Sequence, residues 1–242
     1  LVVRKTTPRN RSEQEIAGYR DVLNTIHGNY AEIPFTTGIV LQFHRDLFQY
    51  FPGQGGKWKI TNNEITEVLP DGTRNVRFHP LSSHLTPEAM ETLHKNFSEL
   101  WQSGRIEPLL LISTYILDFL CIHPFLDGNG RMARLLTLLL LYKAGYEAGR
   151  YISLEQMVEQ TKEGYYETLY TSSHGWHDMR HAILPWWEYF LGVMLFGAYQ
   201  EFERRVGLVT TGRGTKTAMV LDAIGHFRGN FTIRDLQENC PN

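Results

Sequence analysis

The stretch His123-Pro124-Phe125-Leu126-Asp127-Gly128-Asn129-Gly130-Arg131-Met132-Ala133-Arg134 gathers residue types that can bind and transfer a phosphate. Gly128 and Gly130 remove the Cβ atoms that keep a backbone away from a ligand. Gly and Asn also adopt left-handed conformations, so successive N–H groups can converge into an anion-binding nest. A helix opening here adds its unbonded N–H groups and the positive end of its dipole. Arg131 and Arg134 are three apart, so both guanidinium groups can face one anion from the first helical turn. Two cations beside a nest point to a polyphosphate. Asp127 is an oxygen ligand suited to Mg2+, which takes one or two carboxylates together with substrate phosphates. His123 is a base near neutral pH that can take the proton of an incoming hydroxyl. Phe125 reads as the anchor fixing the loop to the core. Singly these signals are weak, because Asp-Gly-Asn-Gly is usually only a turn and an arginine pair usually a solvated face. Their joint spacing suits attack on a metal-bound phosphate.

Two apolar runs flank the loop, Leu109 to Ile122 and Leu135 to Ala144. Spanning a bilayer takes roughly 20 apolar residues, so these shorter runs read as buried helices at the centre of a helical protein. Helix-start chemistry recurs and makes the expected fold all-α apart from one hairpin. Ser12 with Glu15 has capping-box spacing and opens a segment ending near Gly28. Thr86-Pro87-Glu88 supplies an N-cap, a first-turn proline and an acid at the positive dipole end, for a helix reaching about Gly104. Ser153 with Gln156 repeats the capping box, and an aromatic stretch from Leu184 to Val206, with Pro185 in its first turn, reads as a long final helix.

Between Lys57 and Phe78 the pattern changes. Trp58-Lys59-Ile60 and Asn75-Val76-Arg77-Phe78 flank the turn-forming Pro70-Asp71-Gly72, which predicts a small, exposed β-hairpin or flap. An isolated hairpin is marginal in water, so it must pack on the helices or on a partner. After Val206, Thr210 to Thr215 reads as a linker, and 216–242 as the opening third of a winged-helix module, ending before a recognition helix. The expected divisions are an N-terminal helix in 1–33, a main domain in 34–206, and a linker with partial module in 207–242.

With 242 residues, 24 Lys+Arg against 26 Asp+Glu and 42% apolar residues, the chain is neither disordered nor strongly cationic. Cys121 and Cys240 are its only cysteines and read as the reduced thiols of a cytoplasmic protein. The opening Leu1-Val2-Val3-Arg4-Lys5 lacks a secretory apolar core and an initiator Met, as in a processed or trimmed chain.

The loop resembles the HxFx(D/E)GNGRxxR motif of the Fic family, whose members transfer AMP, and in some cases other phosphate-containing groups, to protein hydroxyls. The resemblance runs from about Pro34 to Val206 and includes Phe43-His44-Arg45-Asp46-Leu47-Phe48, the flap, both core helices and Tyr165-Tyr166. It implies a Fic-type helical bundle with ATP as co-substrate and Mg2+ as cofactor. His123 would be the general base and Asp127 the metal ligand. Gly128, Asn129 and Gly130 would form the anion hole for the α- and β-phosphates, with Arg134 on the γ-phosphate and Arg131 supporting phosphates and loop. Tyr165 or Tyr166 would border the adenine. A target protein would dock on the 57–78 flap by strand addition and present a Tyr, Thr or Ser hydroxyl. Self-modification and homodimer formation stay open, and no membrane partner is implied.

Two positions depart from the family pattern. Gly56-Lys57-Trp58-Lys59 places Lys where many members have Arg, keeping the charge without the bidentate fork. Thr171-Ser172-Ser173-His174 stands where some members place an adenine-contacting Asn. Many members also carry an inhibitory helix with an (S/T)xxxE(G/N) motif. Here Glu163-Gly164 and Glu238-Asn239 have the wrong residue four positions before the Glu, so such a helix is expected upstream of Leu1. Removal of AMP, or transfer of another nucleotide or phosphate group, fits the same loop. A nucleotide-sensing DNA-binding regulator is the competing class, reaching DNA through a complete C-terminal module, although the chain lacks the basic excess that binding favours.

Overall fold

The computed structural model describes residues 8–204, apart from 52, 70, 193–196, 198 and 201. The winged-helix expectation for 207–242, Cys240 and residues 1–7 therefore lie outside the described residues. Among those described are eight α-helices, six of them around a central pair, and one two-stranded sheet lies to the side.

Helix α1 (Arg11–Asn29) opens differently from the Ser12/Glu15 expectation. Asn10 is the cap, its side chain accepting the Glu13 N–H at 2.9 Å, while the Glu13 carboxylate accepts the Arg9 N–H at 2.7 Å. Both pairs have the same spacing; use of the earlier one leaves Glu15 free to reach Arg131. Helix α2 (Thr37–Leu47) is capped by Thr36 and buries Val40, Phe43, His44 and Leu47. Helix α3 (Thr86–Ser103) starts with Pro87 in its first turn and stops at Gly104, whose left-handed φ of 60° suits a residue without Cβ. Thr86 is not its cap: it is already helical, and its hydroxyl donates to the Ser82 carbonyl at 3.0 Å.

The two apolar runs become α4 (Pro108–Ile122) and α5 (Asn129–Lys143), packed against each other at the centre. Ile112, Leu117, Phe119, Leu135, Leu136 and Leu139 are fully buried, so the all-round apolar pattern marks burial on every side. Around them lie α1, α2, α3, α6 (Leu154–Gln160, capped by Ser153 as expected), α7 (Lys162–Ser173) and α8 (Leu184–Tyr189). The expected long final helix is α8, then a π-helical turn over 190–192, and helix again at 197, 199–200 and 202–204 among the described residues. Cys121 is a buried free thiol. Among the described residues, no helix is long and apolar enough to cross a membrane.

The hairpin is formed by β1 (Ile65–Val68) and β2 (Arg74–Phe78), antiparallel, with Val68 opposite Arg74 and Thr66 opposite Val76. Its turn ends at Gly72, φ 82°, as the Pro-Asp-Gly sequence predicts. The first strand is not Trp58-Lys59-Ile60. That segment alternates like a strand, but the Lys59 N–H donates to the Pro124 carbonyl at 2.8 Å, so it lies under the chemical loop instead. The hairpin is mostly exposed and rests on α7 through Arg77, which pairs with Glu67 at 3.2 Å and Glu167 at 3.4 Å and lies 4.2 Å over the Tyr170 ring.

Candidate functional site

The loop joining α4 to α5 is fixed by contacts that leave His123 Nε2 and the first N–H groups of α5 free. His123 ends α4 in a left-handed conformation, φ 51°, with its N–H on the Phe119 carbonyl at 2.9 Å. Gly128 has φ 84°, and a Cβ there would meet a Phe48 ring carbon at 2.8 Å, so only glycine fits. Asn129 staples the loop from within: its Oδ1 accepts the Phe125 N–H at 2.9 Å, and its Nδ2 donates to the Phe125 carbonyl at 2.7 Å. Phe125 is fully buried as the expected anchor, stacked on His44 and on Trp58. Truncating such a ring to Ala costs about 3–5 kcal/mol.

His44 clamps the loop from α2. The Gly56 N–H donates to its Nδ1 at 3.0 Å, so the neutral ring carries its proton on Nε2, which donates to the Asp127 carbonyl at 3.1 Å. Burial pushes its pKa down to about 4, so the ring stays neutral at pH 7. From the other side, Lys59 Nζ donates to the Ile122 carbonyl at the end of α4 and to Asn63 Oδ1, both at 2.9 Å. Burial lowers its pKa to about 8. Asn63 then donates to the Phe125 carbonyl at 3.0 Å.

The His123 ring is oriented for proton acceptance. Nδ1 lies 3.3 Å from the Leu120 carbonyl, which can only accept, so the proton sits on Nδ1 and the Nε2 lone pair is free. Among the described residues Nε2 has no hydrogen-bond partner. Burial lowers the His123 pKa to about 4, with Lys59 adding to the shift, so the ring is neutral at pH 7. Next to it, the N–H groups of Asn129, Gly130 and Arg131 precede the first helical bond of α5, from Met132 to Gly128.

Charges converge on this helix end. Asp127 is half exposed; its Oδ1 accepts the Gly128 N–H at 2.6 Å and lies 3.3 Å from Arg131, and its Oδ2 lies 3.6 Å from Arg11. Arg131 also reaches Glu15 of α1 at 3.3 Å and lies 5.2 Å over the Phe48 ring. Arg134 donates through Nε to Glu155 of α6 at 3.2 Å. Among the described residues no group of three or more His, Cys, Asp or Glu side chains could hold a metal. One half-exposed carboxylate beside unbonded amides nevertheless fits Mg2+, whose remaining ligands would be water and substrate phosphates.

A cavity of about 600 Å3 opens between the hairpin and α7. Thr66, Arg77, Phe78, Lys162, Tyr166 and Tyr170 line it, and Leu120 and Cys121, just before His123, form part of its wall. The structure separates the tyrosine pair: Tyr166 is half exposed on the cavity, whereas Tyr165 is buried against Trp186 and Tyr189 and faces the core.

The loop thus brings together His123, Asp127, Gly128, Asn129, Gly130, Arg131 and Arg134. Asn129 has only its backbone N–H left to offer a ligand, since its side chain is spent on Phe125. The sequence marks Lys59 only as a charge at the flap base, and it gives no sign that Glu15, Arg77 and Glu155 belong to the site. The partners that tie these acids and Arg77 to the site, Arg131, Arg134 and Glu167, lie far along the chain, although Ser153, capping α6, marks where Glu155 is held.

Residues 34–141 match the family model described as Fic/DOC family. Over 138 residues the chain is 28% identical to a protein of Drosophila grimshawi named Protein adenylyltransferase Fic, covering 54% of this chain and 26% of that protein. A Nematostella vectensis protein of the same name is 25% identical over 166 residues, 66% of this chain and 34% of its own length. The chain thus spans about a quarter to a third of these relatives. The fold is similar to a Fic-domain signaling protein from Bacteroides thetaiotaomicron, with TM-score 0.63, 21% identity and coverage of 81% and 74% of the two chains. Fic-1 from C. elegans gives a TM-score of 0.61 at 18% identity, covering 88% of this chain and 56% of that one. Residues 34–141, carrying the glycine loop and both core helices, thus form a domain of the Fic/DOC type.

Proposed function

We propose that this chain transfers AMP from ATP to a hydroxyl side chain of a target protein. The observation that carries the reading is the orientation of His123: a neutral imidazole with Nε2 free, beside three unbonded helix N–H groups and a guanidinium pair. The triphosphate would lie along the N–H groups of Asn129, Gly130 and Arg131, with Arg134 on its outer phosphate and the base in the cavity beside Tyr166. Positioning and charge neutralisation supply most of the catalysis in such transfers.

In the step itself, the target Tyr, Thr or Ser oxygen forms a bond to the α-phosphorus and its proton passes to His123 Nε2. The bond from the α-phosphorus to the bridging oxygen breaks, and pyrophosphate leaves. Asp127 would hold Mg2+, which when bound supplies charge neutralisation on the phosphates. The amides at the start of α5 stabilise the negative charge that accumulates as pyrophosphate departs. The exposed hairpin would receive the target as an added strand, fixing the hydroxyl by main-chain bonds alone.

A crystal structure with a non-hydrolysable ATP analogue and Mg2+ tests this placement. Phosphates on the N–H groups of 129–131 with the base beside Tyr166 is the expected result; nucleotide bound elsewhere, or none bound, overturns it.

A further inference from the structure

Glu155 follows the cap of α6 and is anchored there. Ser153 Oγ accepts the Gln156 N–H at 3.2 Å and donates to Glu155 Oε2 at 3.5 Å. Burial raises the Glu155 pKa to about 7, against the pull of its own backbone N–H in the first turn of α6. The other oxygen, Oε1, accepts from Arg134 Nε at 3.2 Å, across 21 positions of sequence. Both side chains are largely shielded, with 22% of Arg134 and 36% of Glu155 exposed. The bond uses only Nε. Nη1 points back over the loop, 3.5 Å from where a Cβ on Gly130 would stand, and among the described residues no other group hydrogen-bonds the guanidinium. A guanidinium gripped at Nε keeps both Nη groups available for a bidentate bond to phosphate.

We infer that Glu155 is a positioning residue for nucleotide binding: it fixes Arg134 by Nε so that the Nη groups face the outer phosphates at the start of α5. This rests on the reading of that helix end as a triphosphate site. The chain of contacts runs from the Ser153 cap to Glu155, to Arg134 and to the glycine loop. An arginine freed from this hold would lose rotamer freedom on binding the nucleotide, and affinity for the outer phosphates would fall by that cost. The α-phosphate contacts lie on the loop amides and are unaffected.

Calorimetric titration of the purified chain with Mg-ATP and with AMP tests this, using Glu155→Ala, Glu155→Gln, Arg134→Ala and the Glu155→Ala/Arg134→Ala double variant, each with its melting temperature recorded. The expected result is about tenfold weaker ATP binding for Glu155→Ala and unchanged AMP binding. Glu155→Gln, which keeps an acceptor and the side-chain shape, should recover most of the loss. The double variant should be no worse than Arg134→Ala alone, because Glu155 acts only through the arginine. Equal weakening of ATP and AMP, full additivity in the double variant, or tighter ATP binding on removing the carboxylate would each overturn the inference. Tighter binding would make Glu155 an occluding group instead. A wild-type chain that binds neither ligand would fail earlier and refute the triphosphate site itself.

Discussion

The imidazole of His44 lies flat on the ring of Phe125, centroids 3.6 Å apart and planes 7° from parallel, while its Nε2 holds the Asp127 carbonyl 83 positions away. One α2 side chain therefore fixes both the buried anchor of the loop and the backbone of its acidic residue. Loop precision rests on α2 as much as on the loop's own glycines.

His44→Ala should weaken catalysis without touching any group proposed to bind nucleotide. Loss of the clamp lets the loop amides drift, and misplacement on the ångström scale costs about 100-fold in rate. Steady-state kinetics should show kcat falling by roughly 10–100-fold. His44→Gln, which can still donate to the Asp127 carbonyl, should retain more activity than the alanine variant. Unchanged kcat in the alanine variant would mean that the clamp is dispensable.

Gly128→Ala should destabilise the fold as well as the site. The residue needs φ 84°, and its added Cβ would stand 2.8 Å from Phe48. Left-handed strain for Ala costs about 1–2 kcal/mol, and the clash adds to it. Urea unfolding should show a loss of about 2–4 kcal/mol. A loss below half of that would show that Phe48 yields easily.

Stability should fall on acidification through the histidine range. His44 and His94 are both lowered to about 4 by burial, from an ordinary value of 6.5. The unfolded chain therefore takes up protons on these rings between pH 6.5 and 4 while the folded chain does not. Their contribution is complete above about 6.5 and is lost as pH falls toward 4. Between about pH 7 and pH 5, unfolding free energy should drop by roughly 1–2 kcal/mol for each ring. Equal stability at the two pH values would contradict burial of neutral rings.

Arg77→Ala should loosen the hairpin more than it destabilises the protein. Its pairs with Glu67 and Glu167 are partly exposed, and its contact with Tyr170 is a cation–π pair. Together these contribute on the order of 1 kcal/mol. Hydrogen exchange over 65–78 should accelerate with little change in melting temperature, and the KM for ATP should rise a few-fold. Unchanged exchange in the hairpin would show that Phe78, stacked on His177, suffices to hold it.

Local signals in the chain identify the loop and its two helices well. Gly128 and Gly130 announce a backbone that must approach something, and the apolar runs of α4 and α5 announce burial. Capping was legible only to within a few residues, because Asn10/Glu13 and Ser12/Glu15 share one spacing and tertiary contacts choose between them. Trp58–Ile60 reads as a strand by alternation, yet its role is set by Pro124 and Ile122, more than 60 positions later. The same holds for Glu15 and Glu155: each is an ordinary helix-surface acid until the fold brings a motif arginine against it. The tyrosine pair shows the limit from the other side. Neighbours on a helix point in different directions, and only the packing of α8 shows that Tyr165 belongs to the core and Tyr166 to the cavity.

The central claim is that His123 takes a hydroxyl proton while the α-phosphorus of ATP is attacked. Incubation with Mg2+, a cell lysate and ATP labelled on either the α- or the γ-phosphate, for wild type and His123→Ala, tests it most directly. Covalent protein label is expected from the α-labelled nucleotide alone, reduced at least about 100-fold in His123→Ala. Label from the γ-phosphate, equal labelling by the variant, or no label beside salt-dependent DNA binding would contradict it.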